Sequence, residues 1–322
     1  MPLEAIREFL ADDLRAVDRV IRERLHSDVV LVRQISEYII GSGGKRLRPL
    51  LVLLSARACG YQGTALHELA AVVEFIHTAT LLHDDVVDES SLRRGRATAN
   101  ALFGNSASVL VGDFLYSRAF QMMVSVEDMA VLRVLADATN TVAEGEVMQL
   151  MNCHDPDIDE PRYLQVIRYK TAKLFEAAGR LGAILGRASP AVESAMAEYG
   201  ARLGTAFQLI DDVLDYSGDR DQTGKNLGDD LAEGKPTLPL IHALRNGSPE
   251  QVVLVRQAIE SGGLDKLEPV VKTIQESGAL DYTRRRAREE ADAACAVLKQ
   301  IPDSTARNCL LELADFAVGR SF

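Results

Sequence analysis

The chain has 322 residues, 47% of them hydrophobic, and a formal net charge of −11. That is ample apolar material for a large core, and an acidic balance without a basic stripe argues against nucleic acid, whose phosphates call for clustered Lys and Arg. Length alone leaves one large domain and two average ones both open.

Met1 to Glu8 are charged and carry no apolar signal core. No uninterrupted run of about 18 apolar residues occurs either, so a cytoplasmic protein without a stable membrane anchor is expected. Cys59, Cys153, Cys295 and Cys309 stand far apart with no C-x-x-C pair, which fits a reducing compartment better than a disulfide framework or a zinc site. Residues 3–26 place Leu3, Ile6, Leu10, Leu14, Val17, Ile21 and Leu25 at three- and four-residue steps. Residues 29–40 continue the pattern, predicting an amphipathic helical pair. The pattern stops at Gly41-Ser42-Gly43-Gly44-Lys45-Arg46-Leu47-Arg48-Pro49. Its glycines allow close backbone approach and Lys45, Arg46 and Arg48 offer donors suited to phosphate oxygens, although an ordinary solvated loop has the same composition. An apolar helix over residues 50–59 follows.

Residues 65–88 read as one helix, apolar on almost every side and therefore central, ending in Asp84, Asp85 and Asp88. Asp84 and Asp88 share a face and repel each other, and Asp is a poor residue inside a helix; a bound cation would remove the conflict. His77 lies two turns earlier and roughly 20° from Asp84 at about 100° per residue, hence on the aspartate face. A lone His on an apolar helix is also an ordinary hydrogen-bonded core residue. Arg93 and Arg94 follow closely, either as weak surface ion pairs or as grips on an anion that a metal bridges from the other side.

Helices are predicted over 98–123 and 127–151, with Met122, Met123, Met129, Met148 and Met151 as adaptable core filling. An acidic loop over 155–161 precedes a helix over 162–185 that carries Lys170-Thr171 among apolar residues; an isolated Lys is usually solvated. Ser189-Pro190 supplies an N-cap and a Pro at the first helical position. The helix that follows ends in Asp211, Asp212 and Asp215, the spacing of the first cluster repeated. Two copies argue for a paired site to which each helix brings carboxylates. In the loop over 216–236, Lys225 and Lys235 suggest a lid with cationic tips, and Pro236 after Lys235 rules out a Walker A sequence. Helices over 237–246, 249–261, 264–277, 279–300 and 303–319 are separated by turns at Asn246-Gly247, Gly262-Gly263 and Ser277-Gly278. With no strand alternation, linker or change of composition, residues 1–322 read as one all-helical domain.

All-oxygen ligands point to a hard cation, and phosphate-binding groups nearby favour Mg²⁺ over Ca²⁺ or zinc. Such an ion, held between carboxylates and a diphosphate, draws charge from a leaving group. There are two candidate anion sites: one between the Asp clusters with Arg93, Lys170 and the lid lysines, and one at Lys45 to Arg48 with Arg94. Two diphosphates imply two substrates being joined.

Together these stretches resemble one family, the trans-polyprenyl diphosphate synthases, and within it the octaprenyl-forming bacterial branch. The resemblance rests on Gly43-Gly44-Lys45-Arg46-Leu47-Arg48-Pro49, the first Asp cluster with Arg93-Arg94-Gly95, and Lys170-Thr171. Phe207-Gln208-Leu209-Ile210 before the second cluster and Gly234-Lys235-Pro236-Thr237-Leu238-Pro239 complete it, with no departure at the motif positions. It implies an all-α, single-domain helical bundle of the isoprenoid synthase type, usually a homodimer. By resemblance, Asp84, Asp85, Asp88, Asp211, Asp212 and Asp215 hold Mg²⁺ against an allylic diphosphate such as farnesyl diphosphate. Arg93, Lys170, Thr171, Gln208, Lys225 and Lys235 bind that diphosphate, with Lys170 also counted among the catalytic residues. Lys45, Arg48, His77 and Arg94 bind isopentenyl diphosphate. The reaction implied is ionisation of the allylic C–O bond, attack by the isopentenyl double bond and loss of a proton, repeated to build a chain for a quinone side chain.

In that family, small residues four and five positions before the first Asp accompany long products; here they are Thr80 and Ala79. The helical wheel places Thr80 roughly 40° and Ala79 roughly 140° from Asp84, so geometry nominates Thr80 and resemblance nominates Ala79; the family pattern is followed here, and Ala79→Tyr is expected to truncate the product. A terpene cyclase would leave the Lys45–Arg48 loop without a purpose. A non-catalytic or regulatory subunit of a heteromeric synthase could shed its acidic motifs, and both are intact. A purely structural bundle would carry six helix-end aspartates at a cost in stability.

Overall fold

The computed structural model describes residues 2–41, 43–93, 95–217 and 227–320. These are almost entirely helical and divide into two compact units: Met1–Thr139 with Leu174–Gly200 and Cys295–Leu313, and Asn140–Lys173 with Ala201–Ala294 and Ala314–Phe322.

The first unit begins with α1 (Pro2–Phe9), α2 (Ala11–Arg24), α3 (Val30–Gly41), α4 (Leu47–Ala58) and α5 (Ala65–Val87). α5 lies against α2, α4 and α7 (Asn105–Ser125), and buries Leu69, Val72, Val73, Phe75 and Ile76 completely. By length and composition α5 could cross a bilayer, but 61% of its most apolar window is buried inside the protein. The Asp13 carboxylate ties three helices together. It accepts from Arg57 of α4 at 3.0 Å (Nε) and 2.6 Å (Nη2), and meets His67 Nε2 of α5 at 2.8 Å.

Several elements differ from expectation. α4 starts at Leu47, three residues early, so Arg48 sits in its first turn rather than in the preceding loop. Pro49 is no obstacle there, since first-turn amides have no helical acceptor. The helix expected over 98–123 is broken into α6 (Ala99–Phe103) and α7 by Gly104, whose φ of 84° only glycine adopts readily. Between α5 and α6, Leu92–Arg93 and Arg96–Ala97 pair antiparallel as a two-residue ladder, too short to show as alternation.

α8 (Met129–Asn152) precedes α9 (Glu160–Ile167), where Asp159 Oδ1 accepts from Arg162 N at 2.9 Å and caps the helix two residues ahead of its expected start. A further difference follows: Arg168–Ala172 form a turn of π-helix before α10 (Lys173–Leu185). α11 (Pro190–Ser217) carries the second Asp cluster. Among the described residues the remaining α-helices are α12 (Asp229–Ala232), α13 (Leu238–Asn246), α14 (Pro249–Ser261), α15 (Leu267–Glu276), α16 (Ala279–Val297) and α17 (Thr305–Gly319). Two apolar clusters hold the second unit. One gathers Leu231, Leu240, Val255, Ile259, Val270 and Ile274, and the other Tyr163, Leu164, Ile167, Leu209, Ile210 and Ile241.

Candidate active site

In the first unit the acidic cluster closes α5. Asp88 is the C-cap residue and its amide bonds Asp84 O at 2.8 Å, while Ser90 N bonds Asp85 O at 3.0 Å. Neighbouring positions on a helix point about 100° apart, so Asp85 cannot share the face of Asp84 and Asp88. It is fully buried and holds Arg93, whose Nε and Nη2 lie 2.8 and 2.7 Å from Oδ1. Burial pushes the Asp85 carboxyl above the usual carboxylate range, Arg93 works against that, and Asp84 and Asp88 add to it. Asp85 Oδ2 is buried with no hydrogen-bond partner. Arg93 is therefore no surface ion pair.

His77, Thr80, Asp84 and Asp88 are half-buried and follow one stripe of α5, whereas Ala79 is completely buried. The Thr80 hydroxyl donates to His77 O at 2.8 Å. Of the loop cations, Arg46 pairs with Asp18, which gives it a structural task. Lys45 is half-buried, and the Arg48 guanidinium lies 4.4 Å from the centroid of the Phe175 ring. Arg94 lies outside the described residues.

In the second unit, Lys170, Thr171, Gln208, Asp212 and Lys235 line one pocket, together with Gln149, Tyr163, Asp230 and Thr237. Lys170 Nζ donates to Gln149 Oε1 at 2.6 Å and pairs with Glu146. A chain of hydrogen bonds fixes the wall: Thr171 Oγ1 to Gln208 Oε1 at 3.2 Å, Gln208 Nε2 to Asp212 Oδ1 at 2.9 Å, and Tyr163 OH to Asp212 Oδ2. Asp212 is 1% exposed, and its carboxyl is raised to about 8 by burial and then by the charge of Asp230, with the bonds from Tyr163 and Gln208 opposing. Asp211 pairs with Arg320, which also stacks 3.7 Å from the Phe207 ring centroid. Asp215 Oδ2 accepts from Asp230 N at 3.3 Å.

Lys235 is not at the tip of a lid. It is 9% exposed, its amide bonds Asp230 O at 2.8 Å and its ammonium pairs with Glu233. Gly234 sets the tight approach behind it, with φ of 65° and an added Cβ only 2.3 Å from the His154 ring. Lys225 lies outside the described residues.

The middle aspartate of each cluster is thus turned inward, and among the described residues no group of three or more carboxylate, histidine or cysteine side chains forms a ready metal cage. Oxygen-only donors, the orphaned Asp85 Oδ2 and the charge-starved Asp212 still suit a hard cation. The fit is to an ion such as Mg²⁺ that keeps several waters and takes part of its shell from a bound diphosphate. Tyr163, Asp230 and Arg320 were not legible as site residues: Tyr163 falls in the apolar periodicity of α9, and Asp230 and Arg320 stand in no motif. Glu146 and Gln149 were not legible either, since Asp137, Asn140 and Glu144 stand in the same stretch and nothing in the sequence sets the two apart.

The polyprenyl synthetase family model matches residues 29–276. Octaprenyl diphosphate synthase of Escherichia coli K12 is 57% identical over 321 residues, 99% of each chain. A geranyl-diphosphate-specific all-trans-nonaprenyl-diphosphate synthase of Rhodobacter capsulatus is 48% identical, covering 97% of this chain and 96% of its own. Among solved structures, a polyprenyl synthase from Caulobacter crescentus, complexed with calcium and isoprenyl diphosphate, superposes with a TM-score of 0.97 at 45% identity, covering 99% of this chain and 98% of that one.

Proposed function

Because the chain belongs to the polyprenyl synthetase family, we propose that it is a long-chain all-trans-polyprenyl diphosphate synthase that extends farnesyl diphosphate with isopentenyl diphosphate to an octaprenyl product. The observation that carries this reading is the second-unit pocket, in which five residues named from sequence for diphosphate and metal binding meet. Lys170, Thr171, Gln208 and Lys235 bind the allylic diphosphate there, and Arg93 contributes from the first cluster. Lys45, Arg48 and His77 bind isopentenyl diphosphate; Arg94 and Lys225 belong to the same two sets.

Asp84, Asp85, Asp88, Asp211, Asp212 and Asp215 would hold Mg²⁺, with Asp85 held in place by Arg93 and Asp212 by Gln208 and Tyr163. When bound, the metal neutralises charge developing on the leaving diphosphate. The protein's own part is to hold that diphosphate by charge-assisted bonds, aim the allylic carbon at the isopentenyl double bond, and keep water from the cation with apolar walls such as α5. Residues 1–322 act as one synthase domain, a reading supported by a family match that runs through both compact units. The enzyme works as a homodimer in the cytoplasm and supplies a quinone side chain.

The test is turnover with farnesyl diphosphate, radiolabelled isopentenyl diphosphate and Mg²⁺, with products sized by chromatography. Octaprenyl diphosphate is expected, and its formation should fall at least about 100-fold in Asp84→Ala. A single condensation product, or none, overturns the reading.

A further inference from the structure

Among the described residues, Arg168–Ala172 are the one stretch of π-helix, and they carry Lys170 and Thr171. A π-turn widens the helix, and such turns collect at functional sites. What lies against this one is Gly145 of α8. A Cβ built on Gly145 would stand 2.5 Å from Lys170 N, 2.9 Å from Lys170 Cα and 2.9 Å from Tyr169 C. Ordinary contact needs about 3.5 Å or more, and backbone cannot swing aside as a side-chain tip does. One and four residues further along the same helix, Glu146 and Gln149 receive the Lys170 ammonium.

We propose that Gly145 is a positioning residue for Lys170: its missing side chain lets the π-turn seat against α8, which fixes where the Lys170 ammonium enters the pocket. The inference rests on the reading of Lys170 as an allylic-diphosphate ligand. General helix packing does not account for the contact as well. Gly179 and Gly182 are equally tight, but Gly179 meets Met196 O and Gly182 meets the Ser55 hydroxyl and the Ser55–Ala56 backbone, none of which belongs to a residue named for the site. Gly145 meets the backbone of the ligand residue itself.

Gly145→Ala is the test. Alanine is the better helix former, so cooperative unfolding should persist. Displacing the turn by about 1 Å should raise KM for farnesyl diphosphate about tenfold or more, with KM for isopentenyl diphosphate unchanged within about twofold. In a Lys170→Ala background, Gly145→Ala should add less than about twofold, because both changes act through one ammonium. The proposal is overturned if Gly145→Ala leaves both KM values unchanged, if its effect is undiminished in the Lys170→Ala background, or if it fails to unfold cooperatively, which would make Gly145 a residue of the fold. Should Lys170→Ala itself leave the farnesyl diphosphate KM unchanged, the reading of the pocket fails instead.

Discussion

Ala79 and Thr80 are adjacent and small, yet the structure gives them different surroundings. Ala79 is completely buried in the packing of α5, while Thr80 shares the half-buried stripe of His77, Asp84 and Asp88. A side chain that grows at Thr80 extends along the face that carries the aspartates, and one that grows at Ala79 must push packed neighbours apart. Thr80→Phe should therefore shorten the product while leaving the unfolding temperature within a few degrees. Ala79→Tyr overpacks the core by far more than the extra methylenes that typically cost about 1–3 kcal/mol, so its first effect should be a lower unfolding temperature. Product chromatography beside thermal unfolding separates the two; full-length product from Thr80→Phe would remove Thr80 from chain-length control. The same facing distinguishes the members of each cluster: Asp85 and Asp212, each one residue after the leading Asp, are the buried ones.

At the scale of elements, the Asp13 carboxylate joins α2 to α4 and α5. Burial alone would raise its titration, but the bonds from Arg57 and His67 outweigh burial and hold it below the usual carboxylate value of 3.8. A lowered value means that the pairing stabilises the fold above the unfolded carboxylate range and is lost as pH falls through the folded value. Asp13→Asn should cost about 2 kcal/mol at pH 7, in line with hydrogen bonds to charged groups, and the deficit should shrink in strong acid. Urea unfolding at neutral and acid pH checks this, and a deficit independent of pH would refute it.

Helices with their own punctuation were legible from residues. α14 runs Pro249–Ser261 as expected because Ser248 and Gln251 form a reciprocal capping box and Gly262 closes it at φ 60°. Gly104 was not readable as a break, because Gly112 and Gly145 sit inside helices with the same local appearance. The π-turn was hidden for a different reason, since its seat is contributed by α8, far away in sequence. Site residues with a motif, such as Lys170 and Gln208, could be named beforehand. Tyr163 gains its role only when α9 and α11 bring its hydroxyl to Asp212, a fact of tertiary packing.

For the molecule as a whole, α8 faces two ways. Gln149 and Asn152 line the pocket, whereas Val147, Leu150 and Met151 are 57, 62 and 76% exposed at the three- and four-residue steps of a single helical face. An apolar stripe of this kind on an acidic protein is costly in water and useful when a second copy covers it, which fits the proposed homodimer. A stable interface buries about 1,200–2,000 Å² in total, so α8 must be joined by further surface. The double variant Leu150→Glu, Met151→Glu should place like charges at the centre of that interface. It should elute as the 35.1 kDa single chain, where the unaltered protein elutes at about twice that mass. Because the turn of α8 that bears Leu150 and Met151 also presents Gln149 to Lys170, loss of the partner should raise KM for farnesyl diphosphate as well. An unaltered protein that elutes as a single chain would refute the dimer, and a monomeric variant with unchanged KM would show that α8 does not link the interface to the pocket.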